Sequence, residues 1–189
     1  MKIAIVTAGN KGIGLEITKT LLDNNYEVIV GGRSEYIDEK TQHKVHFIKG
    51  DLTKLNSHQK LVEKALQLNK GIDLYVNNVG ISYWNPIEKI DEIFLDKIIK
   101  TNLYSVFWGC KSSVKYMTPN SSIINISSIA SKRGSKNNSV YVSTKFAMNG
   151  LTQSLAKELG NRNIRVNAIC PVLIKTDGLV EALKNEYSP

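Results

Sequence analysis

The sequence predicts an α/β fold: a doubly wound parallel sheet of six strands in three layers (α/β/α). Three observations predict it. Short β-branched runs alternate with stretches of helical periodicity along the whole chain. No segment repeats and none is of low complexity. Polar and glycine-rich clusters follow directly after each apolar run, where the ligand crevice of such a sheet lies, beyond the carboxyl ends of its strands.

Ile3 to Thr7 reads as the first strand, closed by Ala8-Gly9-Asn10-Lys11-Gly12, after which Ile13, Ile17 and Leu21 recur at helical spacing. Glu27 to Gly31 is the second strand and Lys44 to Ile48 the third, joined by a short polar connection. Leu61, Val62, Ala65 and Leu68 mark a helix before the strand Asp73 to Val76. Pro86 suits the start of a helix, and Ile93, Leu95, Ile98 and Ile99 carry helical patterning towards Asn102. A further helix covers roughly Leu103 to Met117, followed by the strand Ser122 to Ile126. Val140 to Leu159 is a long helix, Arg165 to Ile169 the sixth strand, and Gly178 to Tyr187 a terminal helix. The clusters predicted to border one crevice are Thr7 to Gly14, Gly32 with Arg33, Asp51, Asn77 to Gly80, Ser127 with Ser128, and Pro171 to Thr176.

With 189 residues, 42% of them hydrophobic, the chain is expected to form one well-buried domain spanning 1–189. The net charge of +8 raises a nucleic-acid partner, but the lysines are spread along the chain rather than gathered, which reads as a solvated basic surface and no nucleic-acid partner. Cys110 and Cys170 are far apart, and His43, His46 and His58 are isolated, so no metal site is expected and the thiols read as reduced, in a cytoplasmic protein. The first apolar run is too short for a secretion signal and no later run approaches a membrane span.

The chemistry concentrates between Ser127 and Lys145. Tyr141 and Lys145, four apart, share one face of a helix, which sets an acid beside a cation. Tyr36 and Lys40 repeat the spacing by chance: Tyr36 lies in a polar connection, flanked by Glu35 and Asp38, with no serine-bearing strand before it. Gly9, Gly12 and Gly14 lie between a strand and a helix, where a backbone without side chains can approach a pyrophosphate at the helix N-terminus. Their spacing is not Gly-x-Gly-x-x-Gly.

These residues resemble the classical short-chain dehydrogenase/reductase family. Thr7, Ala8, Gly12 and Gly14 match its Thr-Gly-x-x-x-Gly-x-Gly, with alanine for the first glycine, a departure expected to be mild because Gly9 follows. Asn77-Asn78-Val79-Gly80 is similar to its Asn-Asn-Ala-Gly, Asn102 to its helix asparagine, Ser128 to its serine, and Tyr141 with Lys145 to its Tyr-x-x-x-Lys. Pro171-Val172 stands where Pro-Gly is usual, and Thr176 matches a threonine that contacts the nicotinamide carboxamide.

The resemblance implies a Rossmann-like oxidoreductase that transfers hydride between a nicotinamide dinucleotide and a small-molecule carbonyl or alcohol. In that reading Tyr141 protonates the carbonyl oxygen and Ser128 donates a hydrogen bond to it. Lys145 stabilises the phenolate and holds the ribose, and Asn102 anchors a water that links Lys145 to solvent. Cofactor contacts are implied for Gly9, Lys11, Gly12, Ile13, Gly14, Asn78, Gly80, Pro171, Ile174 and Thr176, with Asp51 and Leu52 at the adenine edge.

After the second strand the chain reads Gly31-Gly32-Arg33, with no carboxylate for ribose hydroxyls, so Arg33 and Lys11 favour NADP(H) over NAD(H). Ser82, Tyr83, Trp84, Ile129 and Val172 suggest an apolar substrate, and Lys132, Arg133 and Lys136 an acidic group or carrier. The family also implies a homodimer or homotetramer, formed through the helices before Met117 and after Val140. It implies, further, a seventh strand and flanking helices past the point where this sequence stops. Two other readings follow from the same residues: a catalytically silent dinucleotide-binding regulatory or scaffold protein, or a nucleic-acid binder drawn by charge.

Overall fold

The computed structural model describes residues 2–34, 38–68 and 71–188; Glu35, Tyr36 and Pro189 lie outside them. Six strands form one sheet: β1 (Lys2–Thr7), β2 (Tyr26–Gly32), β3 (Val45–Lys49), β4 (Ile72–Asn77), β5 (Met117–Ile126) and β6 (Arg165–Ile169). Their order is β3-β2-β1-β4-β5-β6, and every pairing is parallel. The chain therefore winds outward from β1 to one edge, returns to β4, and winds to the other. The ends of β1 and β4 lie side by side where the direction of winding reverses, which is where this class of sheet opens a crevice.

Both faces of the central strands are covered, as parallel strands require, while the edge strand β6 leaves Arg165, Asn167 and Ile169 exposed. Ile3, Ile5, Ile29 and Tyr75 point to one face and pack with Leu61 of α2 (Leu55–Gln67), Val106 of α4 (Ser105–Val114) and Met148 of α5 (Ser139–Leu159). Val6, Val28, Val30 and Val76 point to the other, against Ile17 and Leu21 of α1 (Gly12–Asp23). Neighbouring residues of one strand thus feed opposite cores, which is why the strands read as continuous rather than alternating apolar runs.

Three elements differ from the sequence reading. β5 begins at Met117 rather than Ser122. Pro119 and Asn120 interrupt the apolar pattern, yet Met117 pairs with Ile72 across a register shift, and Asn120 takes the left-handed conformation with φ of 69°. Pro86 opens only a single short turn, and α3 (Glu92–Ile99) starts at Asp91, whose carboxylate accepts from the Phe94 amide at 2.7 Å. The terminal helix α6 covers only Asp177–Ala182.

His58 is fully buried beneath the sheet. Its Nε2 lies 2.8 Å from the Leu52 carbonyl, which can only accept, so Nε2 carries the proton; Nδ1 then accepts from the Tyr75 hydroxyl at 2.8 Å. Burial pushes this imidazole from 6.5 down to about 4, against the opposing pull of the Leu52 bond. A group whose folded pKa lies below its unfolded value contributes stability that is complete above the unfolded pKa and is lost as pH falls towards the folded one. Between pH 6.5 and about 4, His58 alone is expected to cost the fold roughly 3 kcal/mol. Thermal unfolding against pH checks this: His58→Gln should lose that component of the acid sensitivity.

Among the described residues no helix is long and apolar enough to cross a membrane. None of their His, Cys, Asp and Glu side chains gather into a group of three or more that could hold a metal ion.

Candidate active site

The turn after β1 is shaped by close approaches. A Cβ on Gly14 would run into the Ala8 carbonyl and the Asn78 amide, so α1 can pack this tightly on the turn only with glycine there. Gly12 has φ of +52°, and its space is bounded by Thr176. Ala8 also lies in the left-handed region, with φ of 50°, a conformation that costs a non-glycine residue about 1–2 kcal/mol. The departure from glycine at this position is therefore not relieved by Gly9. Gly9 has no such backbone demand; a Cβ there would meet the Thr18 hydroxyl at 2.7 Å. Lys11 is extended and gives α1 no side-chain cap, leaving the first-turn amides facing the crevice.

Thr7 and Asn78 join β1 to β4 at the reversal of winding. The Thr7 hydroxyl donates to the Val76 carbonyl at 3.1 Å and accepts from the Asn78 amide at 2.8 Å, while Asn78 Nδ2 donates back to the Thr7 and Ala8 carbonyls, each at 3.2 Å. The loop after β5 is tied to the end of β6 in the same way, by Ser127 N to Ile169 O at 2.7 Å and Ile129 N to Pro171 O at 2.8 Å.

Ser128 is thereby held extended beside α5, within hydrogen-bonding reach of the Tyr141 hydroxyl. Burial raises the Tyr141 phenol above its usual value, and the Ser128 bond acts against that shift. One turn on, Lys145 is almost wholly buried. Its ammonium donates to the Ile126 carbonyl at 2.9 Å and lies 5.7 Å from the Tyr141 ring centre. Burial lowers it to about 8, with Cys170 nearby acting the other way, so at neutral pH it remains a cation.

Asn102 occupies a π-helical stretch, Lys100–Tyr104, between α3 and α4. Such bulges re-aim backbone groups and recur at functional sites. Its side chain is committed: Oδ1 accepts from Ile81 N at 2.8 Å and Nδ2 donates to Ile81 O at 2.9 Å and Thr144 Oγ1 at 3.3 Å. Holding the loop after β4 is thus what the amide does here. A water anchored at this residue would have to use its main-chain carbonyl.

Two cavities meet along the ends of the strands. One, of about 250 Å³, is lined by Lys11, Arg33, Asp51, Leu52 and Gly80. The other, of about 550 Å³, shares Lys11, Arg33 and Gly80 and adds Ile13, Asn78, Ser128, Tyr141, Lys145, Pro171, Ile174 and Thr176. Gly9, Gly12, Gly14 and Asn102 lie behind the walls. Thr176 Oγ1 faces its own helix, capping α6 by accepting from Leu179 N at 3.1 Å. A third space of about 620 Å³ opens from Ser128 and Tyr141 past Trp84, Ile129 and Leu183 to Arg133 and Lys136. Tyr83 instead borders the second cavity and carries Lys97 over its ring.

Sequence reading missed Asn10. It is buried, and Nδ2 donates to both the carbonyl and the hydroxyl of Ser34, each at 3.1 Å, tying the glycine turn to the segment that carries Arg33. Only its place within the turn hinted at it.

A family profile described as short chain dehydrogenase matches residues 2–187. The chain is 37% identical over 185 residues to the 3-oxoacyl-(acyl-carrier-protein) reductase FabG of Chlamydia pneumoniae, covering 93% of this chain and 75% of that protein. It is 34% identical over 193 residues to a 3alpha-hydroxysteroid dehydrogenase of Mediterraneibacter gnavus, covering 96% and 77%. Its backbone superposes on the ligand-free aldohexose dehydrogenase of Thermoplasma acidophilum with a TM-score of 0.90 at 30% identity, over 97% of this chain and 71% of that one. From the parallel six-stranded sheet, the crevice at its switch point and these likenesses together, the chain belongs to the short-chain dehydrogenase/reductase family, nicotinamide-dependent oxidoreductases that act on CH-OH and C=O groups.

Proposed function

We propose that the protein is an NADP(H)-dependent reductase of an apolar carbonyl compound, with Tyr141 as its acid and base. The observation that carries this reading is the meeting of Ser128, Tyr141 and the buried Lys145 at the junction of a dinucleotide-sized crevice and a mostly apolar cavity. The crevice residues fit a dinucleotide: Gly14 lets α1 pack closely against the turn after β1, the N-terminus of α1 has no side-chain cap, and a Cβ on Gly80 would stand 3.6 Å from the Lys145 ammonium. When bound, the nicotinamide supplies or accepts the hydride.

The chain's own groups handle the proton and the charge. Tyr141 delivers its phenolic proton to the carbonyl oxygen, and Ser128 donates a hydrogen bond to the same oxygen as negative charge develops there. Without help the phenol is a reluctant acid, and burial makes it more so. A cation on the same side of α5, 5.7 Å from the ring centre, favours the phenolate over the phenol.

Preference for the 2′-phosphate rests on Arg33 and Lys11, which border both cavities, with the Arg33 segment steadied by Asn10. Asp51 lies in the same cavity, but its carboxylate accepts from the amide and hydroxyl of Thr53, at 3.0 and 2.9 Å. Arg133 and Lys136 at the rim of the apolar cavity suit a substrate with an acidic end. Phe107 on α4 and Phe146 on α5 stay about half exposed, which supports pairing of two copies through these helices. Two free thiols fit a reducing cytoplasmic setting.

Carbonyl-dependent loss of NADPH absorbance tests this reading. A panel of ketones with apolar bodies, some bearing a carboxylate, is expected to give turnover. Stoichiometric NADPH binding with no turnover across the panel would instead support a silent dinucleotide-binding protein.

A further inference from the structure

The turn after β3 carries the adenosine side of the crevice, and it is held at three points. Gly50 N donates to Gly32 O at 2.9 Å, Asp51 Oδ1 accepts from Thr53, and the Leu52 carbonyl points down into the core to His58. His58 in turn accepts from Tyr75, a fully buried residue of β4. A chain of hydrogen bonds thus runs from the central strand through α2 to a cavity-lining residue. Leu52 as a whole is only 4% exposed, which leaves its carbonyl little access to water.

We infer that His58 is a positioning residue for the dinucleotide: through the Leu52 carbonyl it holds Asp51, Leu52 and Thr53 in the conformation that closes the adenosine end of the crevice. This rests on the crevice being a dinucleotide site. The physical cause is the asymmetry of buried hydrogen bonding. With its donor removed, the Leu52 carbonyl is left unpaired in the core, so the turn shifts to find a partner, and cofactor binding must then reorder it. Because burial keeps the ring neutral at physiological pH, a neutral amide can replace it.

Two amide variants separate positioning from packing. In His58→Gln the longer amide reaches where Nε2 stood and can still donate to Leu52. In His58→Asn the amide reaches only the Nδ1 position and keeps Tyr75 alone. Titrating the cofactor-free variants with NADPH and with 2′,5′-ADP, by fluorescence and calorimetry, His58→Asn is expected to bind both roughly ten-fold more weakly than wild type. His58→Gln is expected to stay within about three-fold, and kcat at saturating NADPH should be retained in both, so that the loss appears in KM. Equal affinities in the two variants and wild type, whatever their melting temperatures, would overturn the role of His58, as would kcat falling along with affinity. If His58→Asn does not fold, a ten-fold loss of affinity in a folded His58→Gln would also overturn it, since the donor is then present and positioning has failed. Wild-type protein that binds neither ligand overturns the dinucleotide reading itself.

Discussion

Tyr141→Phe is expected to lower turnover by roughly 10²–10⁴-fold while NADPH affinity stays within about two-fold of wild type. The substitution removes one oxygen and keeps the ring that packs beside Lys145, so the walls of both cavities survive. What is lost is the phenolic proton donor beside Ser128. Ser128 is left able to polarise the substrate oxygen but not to protonate it. Lys145 keeps its bond to the Ile126 carbonyl, so the fold around α5 does not depend on the phenol. Steady-state NADPH oxidation, paired with a fluorescence titration of the free protein, separates the two effects. Turnover retained in the variant would remove Tyr141 from the mechanism.

Arg33→Ala is expected to weaken NADPH by about 10- to 100-fold and NADH by no more than about three-fold, the range of a lost charge-assisted hydrogen bond. The side chain is exposed and contributes no core packing, so the fold should be unaffected. Lys11 borders the same space and will retain part of the attraction, which sets the lower end of the range. The ratio of dissociation constants for the two cofactors, measured at one fixed ionic strength because the attraction is screened by salt, decides the matter. Equal weakening of both would mean that Arg33 shapes the crevice rather than reading the 2′-phosphate.

Much of this molecule is legible before folding. The strands from Ile3 and Val28 are visible because a parallel strand buried on both faces must be apolar along its length. The long helix bearing Tyr141 and Lys145 shows in its periodicity, and four residues along a helix place both side chains on one side by geometry alone. The start of β5 was not legible, because Pro119 and Asn120 look like a turn and only pairing with β4 makes their flanks a strand. Nor was the backbone demand at Ala8, since nothing local tells an alanine that it must adopt a positive φ.

By itself, then, the sequence determined the alternation of elements, the parallel sheet, and the clusters that must meet beyond its strands, since each depends on local propensity and periodicity. Tertiary structure alone decided which partner each buried polar group finds. Asn102 holds Ile81, Asn10 holds Ser34, and His58 spans from Tyr75 to Leu52. A hydrogen bond between residues distant in sequence leaves no period in it, and burial forces every donor and acceptor to find some partner without naming which.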